Sequence, residues 1–255
     1  MPLEIMTIPC LSDNYAFLMR CTETDQVAAV DVPEAAPIEA ALKARGWNLD
    51  HILLTHHHRD HVDGVPDLVN ATGASVSGAV RDKDRLPPID IALDDEEVFR
   101  FGNETCRVID VSGHTINHIA FLFEDAKAAF TGDSLMTWGC GRVFEGTHAQ
   151  MWASMQKFRN LPGDTALYTG HEYTASNAKF AQTIEPDNGD YIVRAAKVAQ
   201  LRARDIATVP SNLGTERQTN PFLRADNADL QYAIGMKDAD PADVFSEVRT
   251  RKDNF

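Results

Sequence analysis

The sequence predicts an α/β chain in which a layered domain of strands and helices is followed by a helical region. Two observations carry that prediction. From Leu3 to about Thr169, short apolar β-rich runs ("AFLMR", "VAAVDV", "HILLT", "CRVIDV", "HIAFLF", "AAFTG") alternate with helical stretches such as "EAAPIEAALKARG" and "HAQMWASMQKFRNL". After Gly170 the strand signal stops. There "TASNAKFAQTIEP", "YIVRAAKVAQLRARDIAT", "ADLQYAIG" and "PADVFSEVRTRKDNF" read as helices, with an extended "TERQTNPFLR" between the second and third.

Composition limits the partners. The chain has 255 residues, 44% apolar and 24% charged, as expected of an ordinary soluble globule. Its 24 Lys+Arg face 38 Asp+Glu, a formal charge of −14, which repels nucleic-acid phosphates and anionic lipid surfaces. No apolar run reaches the roughly 18 residues needed to span a bilayer. The start, "MPLEIMTIPCLSDNYAF", lacks the basic and apolar regions of an export signal. A cytoplasmic protein is expected, without nucleic-acid or membrane partners. Cys10, Cys21, Cys106 and Cys140 lie far apart with no CxxC pair, so reduced thiols are expected.

The chemistry concentrates in "LTHHHRDHVDG", Leu54 to Gly64. "HILLT" reads as a buried strand and "HVDGVPDLVNATG" as the start of a helix, broken near Pro66 and ended by Gly73. The histidines therefore occupy the loop at a strand's C-terminal end, where functional groups gather in α/β sheets. In extended backbone His56 and His58 project to one side and His57 to the other. Asp60 and His61 follow at the turn into the helix and can face a second point. The pattern points to two metal ions, each taking part of the motif. Borderline cations need four or five ligands and favour imidazole and carboxylate, so further donors must lie downstream. "DVSGHTINHIAF" supplies His114, "AAFTGDSL" supplies Asp133 and "ALYTGHEYT" supplies His171, each after a β-run and a glycine. Each alone would read as a capping aspartate or a hydrogen-bonded histidine. Together, five histidines and two aspartates make a dinuclear set in which Asp133 can bridge through its two oxygens.

With these residues in place the chain resembles the metallo-β-lactamase superfamily and, within it, glyoxalase II, the hydroxyacylglutathione hydrolases. The resemblance runs through "DNYAF", "THHHRDHVDG", "SGHTINHI", "FTGDSLMTWGCGRVFEGT", "YTGHEYT", "NPFLR" and "RTRKDNF". It implies a four-layer αββα sandwich over residues 1–172, the catalytic domain, and a helical substrate-binding subdomain over residues 173–255. It implies two divalent cations per chain, zinc by first preference with iron or manganese as alternatives. One would be held by His56, His58 and His114, the other by Asp60, His61 and His171, with Asp133 and a hydroxide bridging. Asp60 and Asp133 would be the catalytic carboxylates. The implied reaction is hydrolysis of S-(R)-lactoylglutathione to D-lactate and glutathione, the second step of methylglyoxal detoxification, by a monomer.

The same resemblance assigns Arg249 and Lys252 to the substrate's carboxylates and Tyr173 to a glutathione contact. Two positions depart from the family pattern. Arg142 and Phe144 stand where a lysine and a tyrosine-containing stretch are common, so that contact keeps its charge and loses a hydroxyl. Asp31 is expected to be a plain strand-end acid, Cys140 a structural residue, and His51, His57, His118 and His148 to lie outside the metal ligands. The alternatives are a persulfide dioxygenase of the same superfamily, using one iron, and a noncatalytic scaffold.

Overall fold

The computed structural model describes residues 3–255, which pack as two compact units. The first comprises the described residues through Asp110, together with Asn117–Gly132; the second comprises Val111–Ile116 and Asp133–Phe255.

The first unit contains two sheets. One is ordered β1 (Leu3–Cys10), β2 (Asn14–Cys21), β3 (Val27–Val30), β4 (His51–Leu53), β5 (Ser75–Ala79) and β6 (Ile91–Leu93). Its first three strands are antiparallel, and β3 to β6 run parallel. Parallel neighbours require crossovers. These are α1 (Ala35–Arg45) between β3 and β4, the pair α2 (Arg59–Val62) and α3 (Val65–Thr72) between β4 and β5, and a connection with a 3₁₀ turn at Val80–Asp82 between β5 and β6. The other sheet is an antiparallel ladder of β7 (Val98–Phe101), β8 (Glu104–Asp110), β9 (Ile119–Phe123) and β10 (Ala128–Gly132).

Period-two alternation on β2 separates two cores. Ala16 and Leu18 join Ile38 and Leu42 of α1 and Leu68 of α3 in one apolar cluster. Phe17 points the opposite way and meets Phe130 of β10, ring centroids 5.6 Å apart. The helix breaks at Gly64, where a Cβ would come within 2.7 Å of the Ala35 amide nitrogen; Pro66 then occupies the first turn of α3. Gly46 and Gly73 end α1 and α3 in the left-handed conformation.

The second unit holds the hairpin β11 (Leu135–Met136) and β12 (Gly139–Cys140), α4 (His148–Arg159), and β13 (Ala166–Thr169). Then come α5 (Thr174–Ile184), α6 (Gly189–Arg202), β14 (Ser211–Asn212), α7 (Leu213–Thr219), α8 (Ala228–Ala233) and α9 (Pro241–Asp253). A reciprocal Thr147–Gln150 capping box starts α4, and Asp240 caps α9 ahead of Pro241. Two expectations need correction here. "TERQTNPFLR" is α7 followed by a 3₁₀ turn at Pro221–Leu223, and β14 adds a short strand antiparallel to β13. Asn220 is the reason: its side-chain oxygen accepts the Phe222 amide, and its Nδ2 donates to the carbonyls of Met136 and Gly139. A long-range bond to the hairpin thus decides the segment's conformation. Among the described residues no helix is long and apolar enough to cross a membrane, and the four cysteines are buried and free.

Leu18 is fully buried in the helix-side cluster. Leu18→Ala is expected to lower the unfolding free energy by about 2–5 kcal/mol in urea melts; a change under about 1 kcal/mol would mean the cluster collapses to fill the gap.

Candidate metal centre

In the first unit the donors are organised by Asp31, which lies just past β3 with φ of 56°. That left-handed conformation is uncommon for a non-glycine residue. The carboxylate is buried and accepts three hydrogen bonds: from the Thr55 amide (2.9 Å), the Thr55 Oγ1 hydroxyl (2.8 Å) and His61 Nδ1 (2.9 Å). Thr55 gives its only hydroxyl proton to Asp31, so its 2.9 Å contact with His56 Nδ1 must be a bond donated by the imidazole. Both His56 and His61 are therefore Nδ1–H tautomers, with Nε2 as the basic ring nitrogen. Asp31, within 4.8 Å of the histidine donors, orients them instead of joining them. It is more than a plain strand-end acid.

His58 precedes α2 and packs edge-on to His56, with centroids 4.8 Å apart. Asp60 and His61 lie on α2, Asp60 Oδ2 being 3.9 Å from His61 Nε2. His57 turns away to the buried carboxylate of Asp82 (2.9 Å), which Arg85 also holds. Asp63 makes a surface pair with Arg59.

In the second unit His114, Asp133 and His171 are each more than nine-tenths buried. His114 Nδ1 donates to the Arg142 carbonyl (2.8 Å), which again leaves Nε2 as the basic nitrogen, 3.5 Å from Asp133 Oδ2. His171 Nε2 lies 3.2 Å from the same oxygen. Lone pairs converging in this way repel unless a proton or cation is shared. Gly141 makes the approach feasible: a Cβ there would sit 2.0 Å from the Asp133 carbonyl oxygen and 2.8 Å from His114 Nδ1.

Around this second set lie the residues assigned to substrate. The Tyr173 ring stacks on His171 at 4.6 Å, and Phe144, 61% exposed, meets His114 edge-on at 5.4 Å. The Arg142 guanidinium lies 5.9 Å from the Phe144 ring centre and its Nε is 3.3 Å from Asp253. Lys252 Nζ sits over Phe180 and Phe255; burial, then the neighbouring Arg249 charge, pushes its pKa below the usual lysine value. Arg249 is placed differently from a surface carboxylate ligand. It is only 4% exposed, donating to the Cys140 carbonyl (3.0 Å) and to Asp253 (2.9 Å). Helical period explains this, because Arg249 falls four residues after the fully buried Phe245, on the inner face of α9. Cys140 is buried and its thiol is pushed up to about 11, which suits a structural role.

Three supporting residues were not assigned from sequence. Thr55 lies inside the histidine stretch, ahead of its first donor, and its residue type alone gives no sign of a role. His118, fully buried, stacks on His56 at 4.6 Å and 15°. Asn14, within "DNYAF", bonds Asp60.

The donor set fits a divalent metal: the Nε2 atoms of His56, His61 and His114, fixed by tautomer, with the His58 and His171 rings and carboxylate oxygens alongside. Residues 22–171 match the family model described as "Metallo-beta-lactamase superfamily", and residues 172–255 match "Hydroxyacylglutathione hydrolase C-terminus". Among solved structures the chain is similar to the BLEG-1 B3 metallo-β-lactamase, with TM-score 0.66, 20% identity and coverage of 86% of this chain and 99% of that one. It is equally similar to ETHE1 from Myxococcus xanthus, with TM-score 0.66, 20% identity and 100% of both chains covered. Likeness at that identity speaks to fold alone. Fold and donor loops together define a member of the metallo-β-lactamase superfamily, α/β with two sheets and C-terminal helices. Two relatives narrow the class, both hydroxyacylglutathione hydrolases. That of Cereibacter sphaeroides is 56% identical over 255 residues, 100% of each chain, and that of Jannaschia sp. is 56% identical over 252 residues, 99% of this chain and 98% of the other. The chain belongs to the hydroxyacylglutathione hydrolase family.

Asp31→Asn replaces an acceptor with an amide donor facing other donors. It is expected to weaken metal affinity about 10–100-fold, measured by competition with a chromogenic chelator. Unchanged affinity would restrict Asp31 to a folding role.

Proposed function

We propose that this chain is a metal-dependent thioesterase that hydrolyses S-(R)-lactoylglutathione and related hydroxyacylglutathiones. Water is consumed, the acyl–sulfur bond breaks, and D-lactate and glutathione leave, the second step of methylglyoxal detoxification. The observation that carries this reading is full-length identity above half to hydroxyacylglutathione hydrolases, with every donor of the motif intact. The match of residues 172–255 to that family's C-terminus disfavours the persulfide dioxygenase alternative.

In this reading His56, His58 and His114 would hold one cation and Asp60, His61 and His171 the other, with the Asp133 carboxylate as a further ligand. Zinc is our first assignment for both. When bound, such a pair lowers the pKa of water from 15.7 to about 7 and stabilises negative charge on the thioester oxygen. The protein's own groups do the rest. Asp31 and Thr55 keep the histidine tautomers correct, and the His114 Nδ1 bond to the Arg142 carbonyl holds that ring. Asp60 helps orient the attacking water. Glutathione's thiolate, with an ordinary thiol pKa near 8.5, departs without a strong acid. Phe144 and Tyr173 contact the glutathione carrier, while Lys252 and Arg142 supply positive charge for the tripeptide's carboxylates. Arg249 supports them from beneath through Asp253. The catalytic domain is residues 1–172 and the substrate-binding subdomain 173–255, acting as a cytoplasmic monomer.

Initial-rate assays with lactoylglutathione test the reading. His58→Ala is expected to lower turnover by more than about 100-fold, beyond the 10–100-fold that losing an orienting partner costs; turnover that survives metal removal would refute it. Phe144→Tyr restores a hydroxyl and should lower KM about 2–10-fold, the worth of one hydrogen bond of about 0.5–1.5 kcal/mol. An unchanged KM would show that this position makes no polar contact to the carrier.

A further inference from the structure

The "DNYAF" segment has no part in the chemistry described above, yet its asparagine is buried against the metal motif. Asn14 is the first residue of β2 and is 4% exposed. Its Nδ2 donates twice to Asp60, to the main-chain oxygen at 2.9 Å and to carboxylate Oδ2 at 3.1 Å. Both partners are acceptors, so the side-chain amide cannot be flipped without losing both bonds. Asp60 stands on α2, a helix of only four residues, and its side chain is 45% exposed, so a bond from a buried donor narrows the rotamers open to its carboxylate. His56, His61 and His114, in contrast, each have a ring nitrogen bonded at 2.8–2.9 Å and are almost wholly buried.

We infer that Asn14 is a positioning residue for the Asp60 carboxylate. It holds that ligand in the rotamer that serves its cation and so sets the occupancy of the Asp60–His61 site without setting that of the His56–His58 site. The inference rests on the ligand assignment proposed above. Its physical basis is pre-organisation: a carboxylate already held by a buried donor loses less side-chain freedom on binding a cation. The two bonds have separable tasks. That to the main-chain oxygen ties β2 to α2, whereas that to Oδ2 acts only on the ligand atom's group.

The test is zinc titration of the metal-stripped full chain by calorimetry, with metal content counted after desalting. Wild type should bind two zinc ions. Asn14→Ala should keep one at its wild-type affinity and bind the other about 10–100-fold more weakly, so that about one ion per chain survives desalting. In an Asp60→Ala background, Asn14→Ala should change zinc affinity no further. A purely structural role would instead lower the melting temperature of the metal-stripped protein and weaken both ions alike. If Asn14→Ala does not fold, Asn14→Ser, smaller and polar, takes its place with the same expected loss. Two ions retained at wild-type affinity in the folded variant would overturn this inference and leave the hydrolase reading intact. A wild-type chain that binds fewer than two zinc ions would overturn this inference together with the two-zinc ligand assignment it rests on, whereas the hydrolase reading falls only if lactoylglutathione turnover is absent.

Discussion

Two of the first unit's donors, His56 and His61, depend on one buried carboxylate. Asp31 is bonded to a backbone amide, a hydroxyl and an imidazole at once, and those bonds decide which nitrogen of His56 and His61 is basic. A neutral imidazole offers a metal only one lone pair, so a wrong tautomer would point an N–H where a lone pair is needed. The backbone serves the same end. The Asp31 amide donates to the Leu53 carbonyl, the Val32 amide to the His61 carbonyl, and the Gly64 amide to the Val32 carbonyl, so the end of β3 is tied to β4 and α2. An uncommon left-handed φ at Asp31 is kept because these surroundings over-determine it.

The second unit reaches a comparable result by different means. At His114 a main-chain carbonyl, that of Arg142, takes the Nδ1 proton, and the chain can come this close only because Gly141 has no side chain. The β11–β12 hairpin is in turn anchored from the far end of the sequence. Asn220 donates to two hairpin carbonyls, and Glu216 accepts the Trp138 amide while pairing with Arg194, whose guanidinium lies over the Trp138 ring. Residues around 216–224, legible in sequence only as a connecting segment, therefore help to position the loop that carries Gly141, Arg142 and Phe144.

The substrate side shows how far period alone carries. Arg249 and Lys252, three apart on α9, share a helical face, as their spacing predicts. That face is largely the buried one, since Val244, Phe245 and Val248 line it, so Arg249 is absorbed into a network with Cys140 and Asp253. Lys252, one turn nearer the end of the helix, stays half-buried. The lysine and arginine look alike as "RTRK", but depth along one helix separates their roles.

By itself the sequence determined the α/β class, most strands and helices, and the break and end of the helix after the histidine motif, and it supplied the seven donor residues that we propose for the centre. These follow from local causes: alternation, helical period, glycine and proline at chain reversals, and residue types placed just after strands. Only the tertiary structure decided the supporting cast. Asp31, Asn14, Thr55 and His118 matter through bonds or ring contacts to residues far along the chain, or, for Thr55, through a relay that needs Asp31 in place. A hydrogen-bond partner 30 or 46 positions away has no local signature, because strand pairing and crossover geometry, not sequence neighbourhood, bring it into reach.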